Sequence, residues 1–298
     1  MVRTRLSARS LPAFLLTLSG MVLFSLLIVA HAVAAAAADN PVKKMDAIHG
    51  DPGAKFLHRG ILPSVDDVPA GPKGEAIRYG FELVVHTQQH LKENVGNSLT
   101  CQNCHLGAGR TPYAAPFVGL YSLYPIYRTK NDKVTTLEMR INSCFRRSMN
   151  GTPLPYDSKE MTALISYMAW LSEGIPVGTE IPERGFPPIQ PTRPPDPKQG
   201  SQLFTAKCAV CHGLDSKETA FAPHLWGPQS FNNGAGMARI STLAAFIRQN
   251  MPRDQGDTLT KDEAYDLAAF IAGQPRPDFP DRIYDYPKGG NPDHAPLF

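Results

Sequence analysis

The sequence predicts a mainly α-helical protein of two similarly built domains, joined by a proline-rich linker and preceded by an N-terminal export signal. Three observations carry this. One motif, Cys-x-x-Cys-His, occurs twice, as Cys101-Gln-Asn-Cys104-His105 and as Cys208-Ala-Val-Cys211-His212. Each copy sits in the same order of elements: helix, motif, long loop, short helix, capped apolar helix. Between the copies, Ile181 to Pro197 contains seven prolines, which excludes a packed helix or a central strand and reads as a semi-rigid linker. The expected divisions are residues 1–38 (signal or anchor), 39–180, 181–197 (linker) and 198–298.

The N-terminus has Arg3, Arg5 and Arg9 with no acid, an apolar run from Leu11 to Ala30, and an alanine tract to Ala38. That is the order of a secretory signal, with several Ala-x-Ala frames before Asp39 available for cleavage. A run of about 20 apolar residues is also long enough to remain as a membrane anchor. Either outcome places the globular part outside the cytoplasm, in the periplasm. Without residues 1–38, the chain keeps 27 basic and 27 acidic side chains, so nothing points to a nucleic-acid partner, which needs a basic face. The 28 prolines exceed the usual share of about 5% and predict short helices joined by long ordered loops.

Residues 39–73 read as an irregular arm. Glu75 to about Lys92 has helical spacing, with Ile77, Phe81, Leu83, Val84 and Val85 on one side. A proline- and tyrosine-rich loop, Tyr113 to Tyr127, follows the first motif, and Thr136 opens a short helix that runs into Cys144. Asp157-Ser-Lys-Glu160 has capping-box spacing before an apolar helix to Leu171. In the second half a helix begins at Gly200, Ser241 caps a helix that stops at Asn250-Met251-Pro252, and Thr260-Lys-Asp-Glu263 opens the helix through Ile271. Thr136-Leu-Glu-Met-Arg-Ile141 matches Thr242-Leu-Ala-Ala-Phe-Ile247 at three positions and offers a register between the halves.

Cysteines at i and i+3 lie on one side of a helical turn, where both thiols can add to the two vinyl groups of one haem, and the histidine at i+4 then lies beneath the iron. Cys101, Cys104, Cys208 and Cys211 therefore read as attachment points for two covalent c-type haems. His105 and His212 read as their proximal iron ligands, and each half as a cytochrome c domain. A zinc site built from the two pairs is the main alternative. Zinc modules keep their pairs within about 20 residues, and these are separated by the linker. A redox dithiol explains neither the histidines nor the duplication.

For the second haem the candidate sixth ligand is Met251, where Pro252 forces the chain to turn; Met237 and His224 lie in the same interval. A thioether at iron raises the potential, which suits an electron acceptor. For the first haem two readings stand side by side. Cys144, the one cysteine outside the motifs, would supply a thiolate, lowering the potential and leaving a nucleophile at the iron. Met149 would give a conventional ligand, with Cys144 a buried free thiol. His49, His58, His86 and His90 are further candidates, each more often a surface or satisfied core histidine.

The two haem motifs, the stretch Arg140-Ile-Asn-Ser-Cys-Phe-Arg-Arg-Ser-Met-Asn-Gly151 and the downstream Asn250-Met-Pro252 resemble the dihaem thiosulfate dehydrogenases, from about Ile77 to Ile271. The resemblance implies oxidative coupling of two thiosulfates to tetrathionate, with the reverse reduction available. It implies His105/Cys144 ligation at a catalytic haem and His212/Met251 ligation at an exit haem. It also implies delivery of electrons to an external acceptor such as a small cytochrome or a high-potential iron–sulfur protein. Some members carry a lysine before the methionine, allowing ligand exchange; here that residue is Asn250. Thiosulfate is a dianion, so a site for two of them needs fixed positive charge. Arg140, one turn before Cys144, and Arg128, in the preceding loop, are the candidates, followed by Arg146 and Arg147. The rival reading is a dihaem electron carrier, or a haem subunit of a larger complex, with no substrate of its own.

Overall fold

Apolar residues at helical spacing form α1 (Pro72–Val85), which buries Ile77, Phe81, Leu83, Val84 and Val85. The computed structural model describes residue 63 and residues 65–290 except 218, 220 and 221. Residues 1–38, expected to be an export signal, and His49 and His58 lie outside the described residues. The single helix expected from Glu75 to Lys92 breaks at His86 and resumes as a turn, Thr87–His90. The break aims the buried Thr87 at the first motif, where its hydroxyl accepts from the Cys101 amide at 3.0 Å.

The tyrosine-rich loop contains a short antiparallel hairpin that periodicity did not reveal, β1 (Ile126–Arg128) and β2 (Lys133–Thr135), with Ile126 opposite Thr135. Then comes α2 (Leu137–Arg147), whose first turn is capped by Thr136 accepting from the Met139 amide at 3.3 Å. The cap of α3 (Lys159–Trp170) is Ser158, not Asp157. Ser158 has the extended backbone and stands three residues before Met161, so the expected partner Glu160 instead accepts from the Tyr79 hydroxyl.

The second half begins with α4 (Pro197–Leu203), earlier than Gly200, because Asp196 caps it and Pro197 suits its first position. A π turn, Phe204–Cys208, leads into Ala209–His212. Next, α5 (Ile240–Asn250) starts after Arg239, so Ser241 lies inside the helix and does not cap it. The Thr260/Glu263 box opens α6 (Lys261–Ala272) with both reciprocal bonds made.

In each half the first helix crosses the last, α1 on α3 and α4 on α6. Both crossings depend on a glycine. A Cβ on Gly80 would lie 2.1 Å from the Ala163 carbonyl oxygen, and one on Gly200 would lie 2.0 Å from that of Asp266. One apolar cluster runs through both halves.

The linker is fastened along its length. The carbonyls of Glu183 and Gly185 accept from the amides of Tyr113 and Ala115 in the first half. Arg193 makes a two-pronged pair with Asp266 at 2.9 and 2.5 Å in the second. Two further connections hold the halves together. Asn232 donates from its amide to the Arg147 carbonyl (3.1 Å) and from Nδ2 to the Arg146 carbonyl (2.9 Å), so the second half satisfies two of the last carbonyls of α2. The C-terminal segment returns to the first half, where Asp285 accepts twice from Arg147, each at 2.7 Å, and lies 3.4 Å from Lys130.

Candidate active site

Cys101 begins a 3-10 turn, Cys101–Asn103, held by Thr100 and Asn103. The ring of His105 follows, with Nδ1 2.6 Å from the Ala115 carbonyl oxygen. A carbonyl only accepts, so Nδ1 carries the proton and Nε2 keeps its lone pair for a metal. Ala115 is itself held by the Gly185 carbonyl, so the linker braces the loop that orients His105. Phe117 packs on the imidazole at 4.5 Å between centroids, close against Gly109, where positive φ and lack of a Cβ are both needed.

The second motif repeats this arrangement. His212 Nδ1 lies 3.3 Å from the Pro223 carbonyl oxygen, again fixing the tautomer, and burial favours the neutral ring. Thr219 donates to the Cys211 carbonyl at 2.6 Å. Phe204, Trp226 and Phe270 pack ring against ring beside it.

The first half carries an addition. On α2, Arg140 Nη1 donates to Cys144 Sγ at 2.8 Å, one turn apart on the same face. Burial pushes the Cys144 thiol up, but the Arg140 charge and the neighbouring His105 ring outweigh it and hold the thiol at about 6. Cys101 and Cys104 are pushed up by burial, to about 11 and about 12, and the Cys144 charge adds to both shifts. Met149 instead packs in the core at 3% exposure.

The Tyr124 hydroxyl accepts from Arg128 Nη1 at 3.3 Å and is an electrostatic neighbour of Arg140. Arg146 and Arg147 are engaged elsewhere, with Asp281, Asp285 and the Phe279 ring. Met251 is half-buried where the backbone leaves α5, whereas Met237 lies in the core. His86 lies 3.8 Å from Glu82, and His90 stacks edge-on to Tyr79. Sequence reasoning passed over Tyr124, since one tyrosine among several in a loop carries no signal.

Two family models match the chain on either side of the linker: the SoxA/TsdA cytochrome c domain over residues 88–177, and the cbb3-type cytochrome c oxidase subunit III over residues 195–271. A thiosulfate dehydrogenase of Stutzerimonas stutzeri is 44% identical over 224 residues, which is 73% of each chain. This chain belongs to the thiosulfate dehydrogenase family. The family's member from Thiomonas intermedia is 40% identical over 265 residues, 85% of this chain and 82% of that one. A solved thiosulfate dehydrogenase (TsdBA) from Marichromatium purpuratum superposes with a TM-score of 0.72 at 40% identity, covering 76% of this chain; this chain spans 51% of that one.

As a member of the family with two cytochrome c domains, the protein carries two covalently bound c-type haems. Its residues fit them. None of the five cysteines is in a disulfide, which leaves the four motif sulfurs available for haem attachment, and both motif histidines present an unprotonated Nε2. Among the described residues no group of three or more His, Cys, Asp or Glu could hold a metal ion, so the two cysteine pairs do not converge on a zinc site.

Proposed function

We propose that this protein oxidises two thiosulfate ions to tetrathionate at Cys144 and passes the electrons through its second domain to an external acceptor. The observation that carries this reading is the Arg140–Cys144 contact facing His105. Cys101 and Cys104 would attach the first haem, with His105 and Cys144 holding its iron; Cys208 and Cys211 would attach the second, with His212 and Met251 holding its iron. When bound, each haem takes up one electron, the thiolate-ligated one at lower potential than the thioether-ligated one.

The chain's own residues then do the following. Arg140 and Arg128 neutralise the incoming dianions, the guanidinium fork being matched to oxyanions. Cys144 is held as a nucleophilic thiolate. Its sulfur bonds to the outer sulfur of one thiosulfate with loss of two electrons, giving Cys–S–S–SO3⁻. The outer sulfur of a second thiosulfate attacks that adduct, releasing tetrathionate and restoring the thiolate. No proton is needed in either step.

The N-terminal signature supports export to the periplasm, with membrane attachment if the segment is retained. Among the described residues no helix is long and apolar enough to cross a membrane. A small cytochrome or a high-potential iron–sulfur protein would serve as acceptor. The test is to purify the protein alone and assay thiosulfate with an artificial acceptor. Turnover to tetrathionate is expected; an isolated protein that is reducible but inert towards thiosulfate contradicts the reading and leaves an electron carrier.

A further inference from the structure

Arg140 and Arg128 come from different elements, α2 and β1, and the Tyr124 hydroxyl stands beside both. The Tyr124 phenol oxygen has two lone pairs. A guanidinium only donates, so the phenol accepts from Arg128 Nη1 at 3.3 Å. Arg140 is an electrostatic neighbour of the same hydroxyl, and the phenol proton remains. Among the described residues no hydrogen bond donated by that hydroxyl is found. The ring packs against the apolar cluster, which fixes where the hydroxyl stands. Arg140 also holds Cys144 Sγ at 2.8 Å, so the sulfur, the two arginines and the phenol are neighbours in one site.

We infer that Tyr124 is a substrate-binding residue of this site, donating its phenol O–H to a sulfonate oxygen of thiosulfate held beside Arg140 and Arg128. The inference rests on the thiosulfate reading above and adds to it a neutral donor beside the two guanidinium groups. A donor to an anion is a charge-assisted bond, about twice the strength of a neutral one.

The test is Tyr124→Phe in the full-length dihaem protein, with Arg140→Gln alongside. Phenylalanine keeps the ring and its packing and removes only the hydroxyl. The expected result is a KM for thiosulfate raised about tenfold, as for loss of one bond to a charged group, with kcat changed much less and the spectra of both haems unaltered. Electron uptake from a substrate-independent reductant should be unaffected. An unchanged KM overturns the inference. So does a raised KM accompanied by an altered first-haem spectrum, because Tyr124 would then be acting through Arg140 and Cys144 and not on substrate. The control separates the two levels. If Arg140→Gln raises KM and Tyr124→Phe does not, only Tyr124 is removed from the site; if neither does, the anion site itself is misplaced.

Discussion

Cys144 differs from the other sulfurs of its pocket in its surroundings. Burial raises all three cysteines of the first half, but Arg140 and His105 act on Cys144 alone and lower it. With Cys101 and Cys104 tied up in thioether bonds to the haem, Cys144 is the sulfur of that pocket left to act as a thiolate. Cys144→Met keeps a sulfur at that position but makes it neutral and unable to form the disulfide-like adduct. Both haems should remain attached, the first haem's potential should rise, and thiosulfate oxidation should fall by orders of magnitude, measured by redox titration and steady-state assay. A variant of near wild-type activity would remove Cys144 from the chemistry. Met251→Ala should abolish the His/Met spectral signature and leave thiosulfate binding intact; a surviving signature assigns the ligand to Met237 or His224. Cys144 stands out in the sequence because it is an odd cysteine beside two complete motifs. Tyr124 does not, because its place beside Arg128 depends on a hairpin that has no periodic signal.

At the scale of elements, α2 is held at both ends by different means. Thr136 caps its first turn from within the same stretch of sequence, and that cap was readable. Its last carbonyls, from Arg146 and Arg147, are satisfied by Asn232 in the other half, and no local pattern announces such a partner. The register between halves was misread for a related reason. By their structural bounds α2 and α5 both have 11 residues, so Thr136 corresponds to Arg239 and not Thr242, whose hydroxyl accepts from Arg239 inside the first turn. Counted this way Met251 stands opposite Ser148, and Cys144 lies a turn earlier in its helix than the methionine does in the other. Asn232→Ala should cost about 1 kcal/mol for the lost side-chain bond. Because the helix it steadies carries Cys144, the first haem's spectrum should broaden while the second's does not. Equal effects on both would place Asn232 outside any special support of α2.

The whole molecule is closed by its C-terminal segment. Asp285 is flanked by Arg147 and Lys130, with side-chain exposures of 9%, 11% and 14%, and the Tyr286 amide donates to the Lys130 carbonyl. Composition predicted only a proline-rich tail there, because a strap between distant residues has no periodicity. Removing the carboxylate by Asp285→Ala leaves buried cations without their partner and should cost roughly 3 kcal/mol, read by denaturant unfolding; an effect near zero would show that the strap does not bind the halves together. Lys130 is held down to about 8, by burial first and then by Arg147, with Asp285 acting in the opposite sense. The unfolded chain therefore binds its proton more tightly, and wild type should gain stability relative to Lys130→Met as pH rises from about 8 to 10.5. A difference independent of pH across that window would contradict the shift.

Both the strap and Asn232 act on α2, so the arrangement of the molecule converges on the position of one sulfur. Electron paramagnetic resonance of the oxidised wild-type protein reads that sulfur most directly. The expected spectrum contains two low-spin ferric species, one with the signature of thiolate ligation, lost in Cys144→Met, and one of His/Met ligation, lost in Met251→Ala. Two His/Met species, with the spectrum unchanged on replacing Cys144, would contradict ligation by Cys144 and with it the thiolate chemistry proposed for the site.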